Sequence, residues 1–272
     1  MKYQLIACDL DETLLNSQHQ VCQRNIELIK KAKEKGVKFV PATGRLYQSV
    51  QGCLKELGLY DEEGEYVLSA NGGVLTENKN NRILQMKGLS FEKMKELFDF
   101  GKHYDVCIAI YTIQNIYVYH LNENERQRMN NQGIQYIVLE DDGLDALKND
   151  DMVKVLFETR DMEYLQSLEP LMQDIVKDEV DVSYSSMRYM ELNLKGVNKG
   201  QGLHDLARLL NIPIEATIAV GDNFNDMAML EAAGLSVAAG NAVEEVKALC
   251  DYTTKADCNE GVVAELIEKF IL

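Results

Sequence analysis

Four short segments of this chain gather residue types that can move charge and protons. The first is Asp9-Leu10-Asp11-Glu12-Thr13-Leu14, whose two aspartates could divide a reaction, one attacking while the other handles a proton. A D-x-D pair alone also fits a solvated acidic turn that caps a helix. The second, Ala42-Thr43-Gly44-Arg45, offers an anion a hydroxyl, a permissive glycine and backbone N–H groups, although an ordinary helix start with Thr43 as its N-cap has the same pattern. The third, Gly196-Val197-Asn198-Lys199-Gly200, puts Lys199 at the start of a predicted helix, where the macrodipole disfavours a cation. A bound phosphate would explain that lysine, and a solvated surface position is the alternative. The fourth, Gly221-Asp222-Asn223-Phe224-Asn225-Asp226-Met227, holds two carboxylates and two amides. An Asx-rich capping loop accounts for one or two of these residues but not for four and a glycine.

The elements that must position these groups follow from periodicity. Residues 3–8 read as a buried strand, 22–35 as a helix bearing Ile26, Leu28, Ile29, Ala32 and Lys33, and 37–43 as a second strand. A helical stretch to Gly58 and a third strand at Tyr66–Ser69 come next. Towards the C-terminus, Leu203, Leu206, Ala207 and Leu210 fall at helical spacing, followed by strands at Ala216–Val220 and Leu235–Ala238 and helices near 243–249 and 261–270. This alternation predicts an α/β fold, a Rossmann-like parallel sheet with helices on its faces, with Asp9 and Asp222 at the C-terminal ends of strands, where such sheets bind ligands.

The middle of the chain has a different grammar. Hairpin-like pairs, Val106–Tyr111 with Ile116–His120 and Val180–Tyr184 with Tyr189–Leu194, surround helical stretches that include Phe91, Met94, Leu97, Phe98 and 162–176. The expectation is a core of residues 1–82 and 193–272 and an α+β insert at 83–192, joined by short hinges because no Pro/Gly/Ser-rich linker is present.

If the four segments meet at one sheet edge, Asp9, Asp11, Asp222 and Asp226 converge, and each carboxylate pair near 4 Å would repel by about 4 kcal/mol at an effective dielectric of 20. A hard divalent cation relieves that repulsion. With only oxygen ligands on offer and no His or Cys, Mg²⁺ is expected rather than zinc.

Composition narrows the partners. The 272 residues carry a formal net charge of −16, which repels nucleic acid and anionic lipid, and a small phosphorylated metabolite, itself an anion, would need a local cation to reverse the field at the site. Six cysteines without C-x-x-C or zinc-ligand spacing, and an N-terminal apolar stretch too short for a signal peptide or a membrane span, lead to the expectation of reduced thiols in a cytoplasmic protein.

In order and spacing, DLDETLL, ATGR, the NKG lysine and GDNFND resemble the four motifs of the haloacid dehalogenase (HAD) superfamily, across the whole chain. The insert between ATGR and Lys199 is similar to the second-class cap of the Cof-type subfamily, mainly sugar-phosphate phosphatases, and Asn71-Gly72-Gly73 resembles its Asn-Gly signature. The resemblance implies Asp9 as nucleophile and Asp11 as acid and base. It implies Mg²⁺ held by Asp9, the Asp11 backbone carbonyl and Asp222. It further implies phosphoryl oxygens held by Thr43, the Gly44 backbone, Lys199 and Asn225, with Asp226 orienting Lys199 and with Arg45 and Asn71 in support. Glu12 departs from the family, which more often has glycine there. A specificity cap would offer Tyr111, Tyr117, Tyr119, Tyr136, Tyr184 and Tyr189 to a sugar, unless they fill the cap's own core. Two rival functions share these residues: a phosphomutase, which would release no free phosphate, and a regulator that binds a phosphorylated ligand without turnover.

Overall fold

The computed structural model describes residues 2–140 and 143–272. In the first part of the chain lie β1 (Leu5–Cys8), α1 (Gln23–Glu34), β2 (Lys38–Pro41), a helical turn at Tyr47–Val50, α2 (Gln51–Glu56), β3 (Tyr66–Ser69), β4 (Val74–Glu77) and β5 (Arg82–Met86). The middle holds α3 (Phe91–Gly101), β6 (Cys107–Thr112), β7 (Ile116–Tyr119), α4 (Glu123–Asn131), β8 (Ile137–Val138), β9 (Met152–Glu158), α5 (Met162–Leu168), α6 (Gln173–Val176), β10 (Val180–Ser185) and β11 (Tyr189–Leu194). The last part has α7 (Lys199–Leu209), β12 (Thr217–Gly221), α8 (Met227–Ala232), β13 (Leu235–Ala238), α9 (Glu244–Leu249), β14 (Tyr252–Thr253) and α10 (Val262–Phe270).

The chain divides into two compact units, Met1–Met86 with Asn198–Leu272, and Lys87–Val197. The first is built on a parallel sheet of order β14-β13-β12-β1-β2. Its interior strand β1 is buried along all four residues, LIAC, because helices cover both faces of such a sheet and its strands become continuous apolar runs. The chain leaves β1 towards β2 on one side, and β12 to β14 fill the other side. The order therefore reverses between β1 and β12, and a crevice opens beyond their C-terminal ends.

The third expected strand forms, but not where the parallel-sheet pattern puts it. β3 packs beside β2 but pairs there only through an isolated bridge, Ala42 just past β2 to Leu68, and instead starts an antiparallel sheet with β4 and β5. The expected insert boundary at 82/83 consequently falls inside β5, and the one at 192/193 inside β11; the structure puts the crossings at 86/87 and 197/198. A hairpin continues its hydrogen-bonded ladder past the point where the hydrophobic pattern changes.

The second unit is a six-stranded sheet of order β10-β11-β9-β6-β7-β8. Its central strand β9, MVKVLFE, was not expected, and neither was α4, whose sequence ENERQRMNN has no apolar stripe. Ile108, Ile110, Val155, Phe157, Met190 and Leu192 pack with Met94, Leu97 and Phe98 of α3 and Leu165 and Leu168 of α5. Strand alternation turns Tyr111, Lys154, Glu158, Tyr189 and Glu191 to the opposite face. Among the described residues no helix is long and apolar enough to cross a membrane.

Candidate active site

Asp9 follows β1 directly, and its N–H donates to the Val220 carbonyl at 2.9 Å, so the backbone of β12 fixes its position. Asp222 comes one residue after β12, on the neighbouring strand. Between them, the Thr13 hydroxyl donates to Asp222 Oδ1 at 2.8 Å. Thr13 received no role from the sequence, although it lies within the first motif; only the fold reveals its partner, 209 positions away.

Lys199 is fully buried, and its Nζ donates to Asp9 Oδ1 at 2.5 Å and to Asp226 Oδ1 at 2.6 Å. Asn198 caps α7 by accepting from the Gln201 N–H at 2.9 Å, which orients the first turn that carries Lys199. A cation at this helix N-terminus is therefore compensated by two carboxylates of the chain itself. The second oxygen of Asp226 accepts from the N–H groups of Asp222 and Asn223 at 3.0 and 3.1 Å. Gly221 makes that approach possible, since a Cβ there would sit 2.5 Å from Asp226 Oδ2. Asn225 lies in the same short turn, Phe224–Asp226, half-buried.

Asp11 is different, with its side chain 43% exposed. Arg45 grips it with two donors, Nε to Oδ2 at 2.8 Å and a guanidinium nitrogen to Oδ1, and His19 Nδ1 lies 3.7 Å away. His19 carried no signal in the sequence beyond being a histidine. The Thr43-Gly44-Arg45 segment does not open a helix directly, contrary to expectation: the next helical turn begins at Tyr47, and the Thr43 hydroxyl accepts from the Arg45 N–H at 3.1 Å. Asn71, with φ +55, donates its N–H to the Thr43 carbonyl at 2.9 Å and brings its side chain against Gly44, where a Cβ would be 3.0 Å from Asn71 Oδ1.

Glu12 takes φ +62. A left-handed conformation costs a residue with a Cβ roughly 1–2 kcal/mol, which is the physical reason a glycine suits this position.

The electrostatics are unbalanced. Oxygens of Asp9, Asp222 and Asp226 lie within 4.8 Å of one another, and a single lysine faces them, leaving a formal deficit of two positive charges. Burial pushes the Asp9 carboxyl well above the usual carboxylate range, Asp226 pushes it further, and Lys199 pulls back. Asp222 rises to about 7, again by burial and then by repulsion from Asp226. Burial works to lower the Lys199 pKa, but Asp226 and Asp9 outweigh it and raise it above its usual value. A buried, all-oxygen, over-acidic cluster suits a hard divalent cation, which would restore the charged carboxylates. Asp226 is the least available of the three acids, because Lys199 and two backbone N–H groups already occupy its oxygens.

Fold and site together define an α/β protein with an acid-rich, cation-ready crevice where its sheet order reverses. A family model described as haloacid dehalogenase-like hydrolase matches residues 6–266, and the chain belongs to this family. YxeH of Bacillus subtilis, provisionally named a phosphatase, is 31% identical over 275 residues and 99% of each chain. YcsE of the same organism, named as a 5-amino-6-(5-phospho-D-ribitylamino)uracil phosphatase, is 28% identical over 98% of this chain and 96% of its own. A solved haloacid dehalogenase-like hydrolase from Bacteroides thetaiotaomicron matches with a TM-score of 0.87 at 28% identity, covering 99% of this chain and 100% of that one.

Proposed function

We propose that the chain is a Mg²⁺-dependent phosphatase that hydrolyses small phosphate monoesters, sugar phosphates above all, through an aspartyl-phosphate on Asp9. The observation that carries this reading is the Asp9 carboxylate itself, buried at the switch point, 2.5 Å from Lys199 and clustered with Asp222. Carboxylates are competent nucleophiles towards phosphorus, and phosphoryl transfer chiefly needs alignment and positive charge around the equatorial oxygens.

In this reading an Asp9 oxygen forms a bond to phosphorus as the ester oxygen leaves, and Asp11 gives that oxygen its proton. Asp11 then takes a proton from water, the water oxygen bonds to phosphorus, and the Asp9–phosphorus bond breaks to release phosphate. Thr43, the Gly44 backbone, Lys199 and Asn225 hold the phosphoryl oxygens, Asp226 holds Lys199, and Arg45 and Asn71 steady Asp11 and the Thr43 turn. Asp9, the Asp11 backbone carbonyl and Asp222 are the residues that would hold Mg²⁺, which when bound supplies the positive charge this cluster lacks. Substrate choice is assigned to the unit Lys87–Val197. A polyol phosphate is favoured by the ribitylamino substrate in the name of YcsE. Six free thiols fit a cytoplasmic setting.

The test is a panel of phosphorylated metabolites, read as free phosphate with Mg²⁺ and with excess chelator. Release that requires the cation supports the reading. Full activity in chelator, or transfer to a sugar hydroxyl with no free phosphate, overturns it.

A further inference from the structure

The strained residue of the first motif has an external support. Glu12 holds its left-handed backbone although its own side chain is exposed. Its carbonyl accepts from Asn241 Nδ2 at 2.8 Å, and Asn241 Oδ1 in turn accepts from the Cys258 N–H at 2.9 Å. Asn241 sits in the loop after β13, and this loop is docked on β12 as well: the Ala239 N–H donates to the Gly221 carbonyl at 3.0 Å and the Val243 N–H to the Asp222 carbonyl at 3.0 Å. One loop thus grips the backbone of Asp222 through its main chain and the backbone of Glu12 through one side chain.

We propose that Asn241 is a positioning residue that pins the Glu12 peptide in its left-handed conformation and so sets the spacing between the Asp9–Asp11 turn and Asp222. Its consequence for catalysis rests on the phosphatase reading above. Asn241 touches none of the groups assigned to substrate; it acts through the turn. An L-residue at φ +62 tends to relax to negative φ, which would rotate the peptide next to Asp11. Two features make the carboxamide suited to oppose this. It needs both a donor for Glu12 and an acceptor for Cys258, and it is anchored on a loop that moves only if the Asp222 backbone moves with it.

The test is a double-mutant cycle between Asn241 and Glu12 in the full chain with Mg²⁺, using a generic aryl phosphate. Asn241→Ala is expected to lower kcat about 5- to 10-fold, the size of one net hydrogen bond expressed at the transition state, with KM unchanged. Asn241→Asp keeps the acceptor for Cys258 and loses the donor, and should behave like Asn241→Ala. Glycine is at ease in the left-handed region, so in the E12G background Asn241→Ala should cost less than about 2-fold in kcat. Equal losses in both backgrounds, a loss confined to KM, or wild-type kcat in N241D would overturn the proposal. Melting temperatures of the same four proteins without substrate give a second readout. Asn241→Ala should lower Tm more in the wild-type background than with E12G, and an equal drop overturns the pin. If the wild-type protein releases no phosphate from any ester, the phosphatase reading fails, and the melting cycle still decides the role of Asn241.

Discussion

Each unit of the molecule buries a cluster of charged side chains against its sheet, and the two clusters are put together on opposite terms. On the polar face of the Lys87–Val197 sheet, Lys154 pairs with Glu191 at 2.6 Å, and the Ser185 hydroxyl donates to the same glutamate at 2.5 Å. Beside them, Glu125 accepts from the Tyr189 hydroxyl at 2.7 Å and Glu158 from Asn122 at 2.6 Å, with Arg188 3.4 and 3.9 Å from these two acids and Arg128 3.6 Å from Glu125. Three acids meet three bases, drawn from β9, β11, α4 and the turn before β11. At the end of the parallel sheet, three acids meet one lysine. A balanced buried network can be purely structural, whereas an unbalanced one at strand ends favours a bound cation or a held proton, and that imbalance marks the candidate site.

The comparison can be broken most decisively at Asp9. Asp9→Asn should abolish turnover and phosphoenzyme formation, while Asp11→Asn should slow turnover about 10²–10⁴-fold. The second variant keeps the nucleophile and should accumulate one phosphoryl group on the peptide containing Asp9, as read by mass spectrometry. Phosphate on a serine or histidine, or wild-type rates in both variants, would remove the functional meaning of the unbalanced cluster.

Next in size is the lysine at the centre of each cluster. Lys199→Met should cost about 10²–10³ in kcat because it removes fixed charge from the transition state. Adding Asp226→Asn, which keeps an acceptor for the Asp222 and Asn223 N–H groups, should recover stability and not activity. Lys154→Met should instead leave kcat on a small aryl phosphate within about 2-fold of wild type while costing about 3–5 kcal/mol of stability, since the buried Glu191 loses the cation that compensates its charge. Replacing Glu191 by leucine as well should return most of that stability in urea melts. A loss of aryl phosphatase activity with stability intact would mean that Lys154 serves chemistry after all.

The smallest expected effect is on pH. In cation-free protein, burial and then Asp226 push the folded Asp222 up to about 7, above the ordinary carboxylate value of about 3.9. The folded state therefore holds a proton that the unfolded chain has released, and this group's contribution to stability falls as pH rises from about 4 to about 7. Mg²⁺ should raise Tm, and by more at pH 8 than at pH 5. A gain independent of pH would separate cation binding from these carboxylates.

Legibility in the sequence followed the range of the interactions. The strands LIAC and LSVA and the helices from Leu203 onward were readable because burial on a parallel sheet leaves a local apolar signature. β9 escaped notice because Lys154 and Glu158 interrupt its apolar run, and only the facing strand supplies the partners that let them be buried. The tyrosines offered to a sugar show the same limit. Tyr184 donates its hydroxyl to Glu169 at 2.6 Å, Tyr189 bonds to Glu125, and Tyr119 meets Phe98 edge-on, all within their own unit.

By itself the sequence determined that a parallel α/β core forms and that Asp9 and Asp222 stand just beyond apolar strands, since both facts depend only on neighbours along the chain. Tertiary structure decided which charge meets which: Lys199 with Asp9 across 190 positions, Arg45 with Asp11, Thr13 with Asp222 and Asn241 with the Glu12 carbonyl. Strand periodicity encodes which face a residue takes, but partners across the sheet edge follow from strand order, and that order is settled only when β12 pairs with β1 rather than with β2.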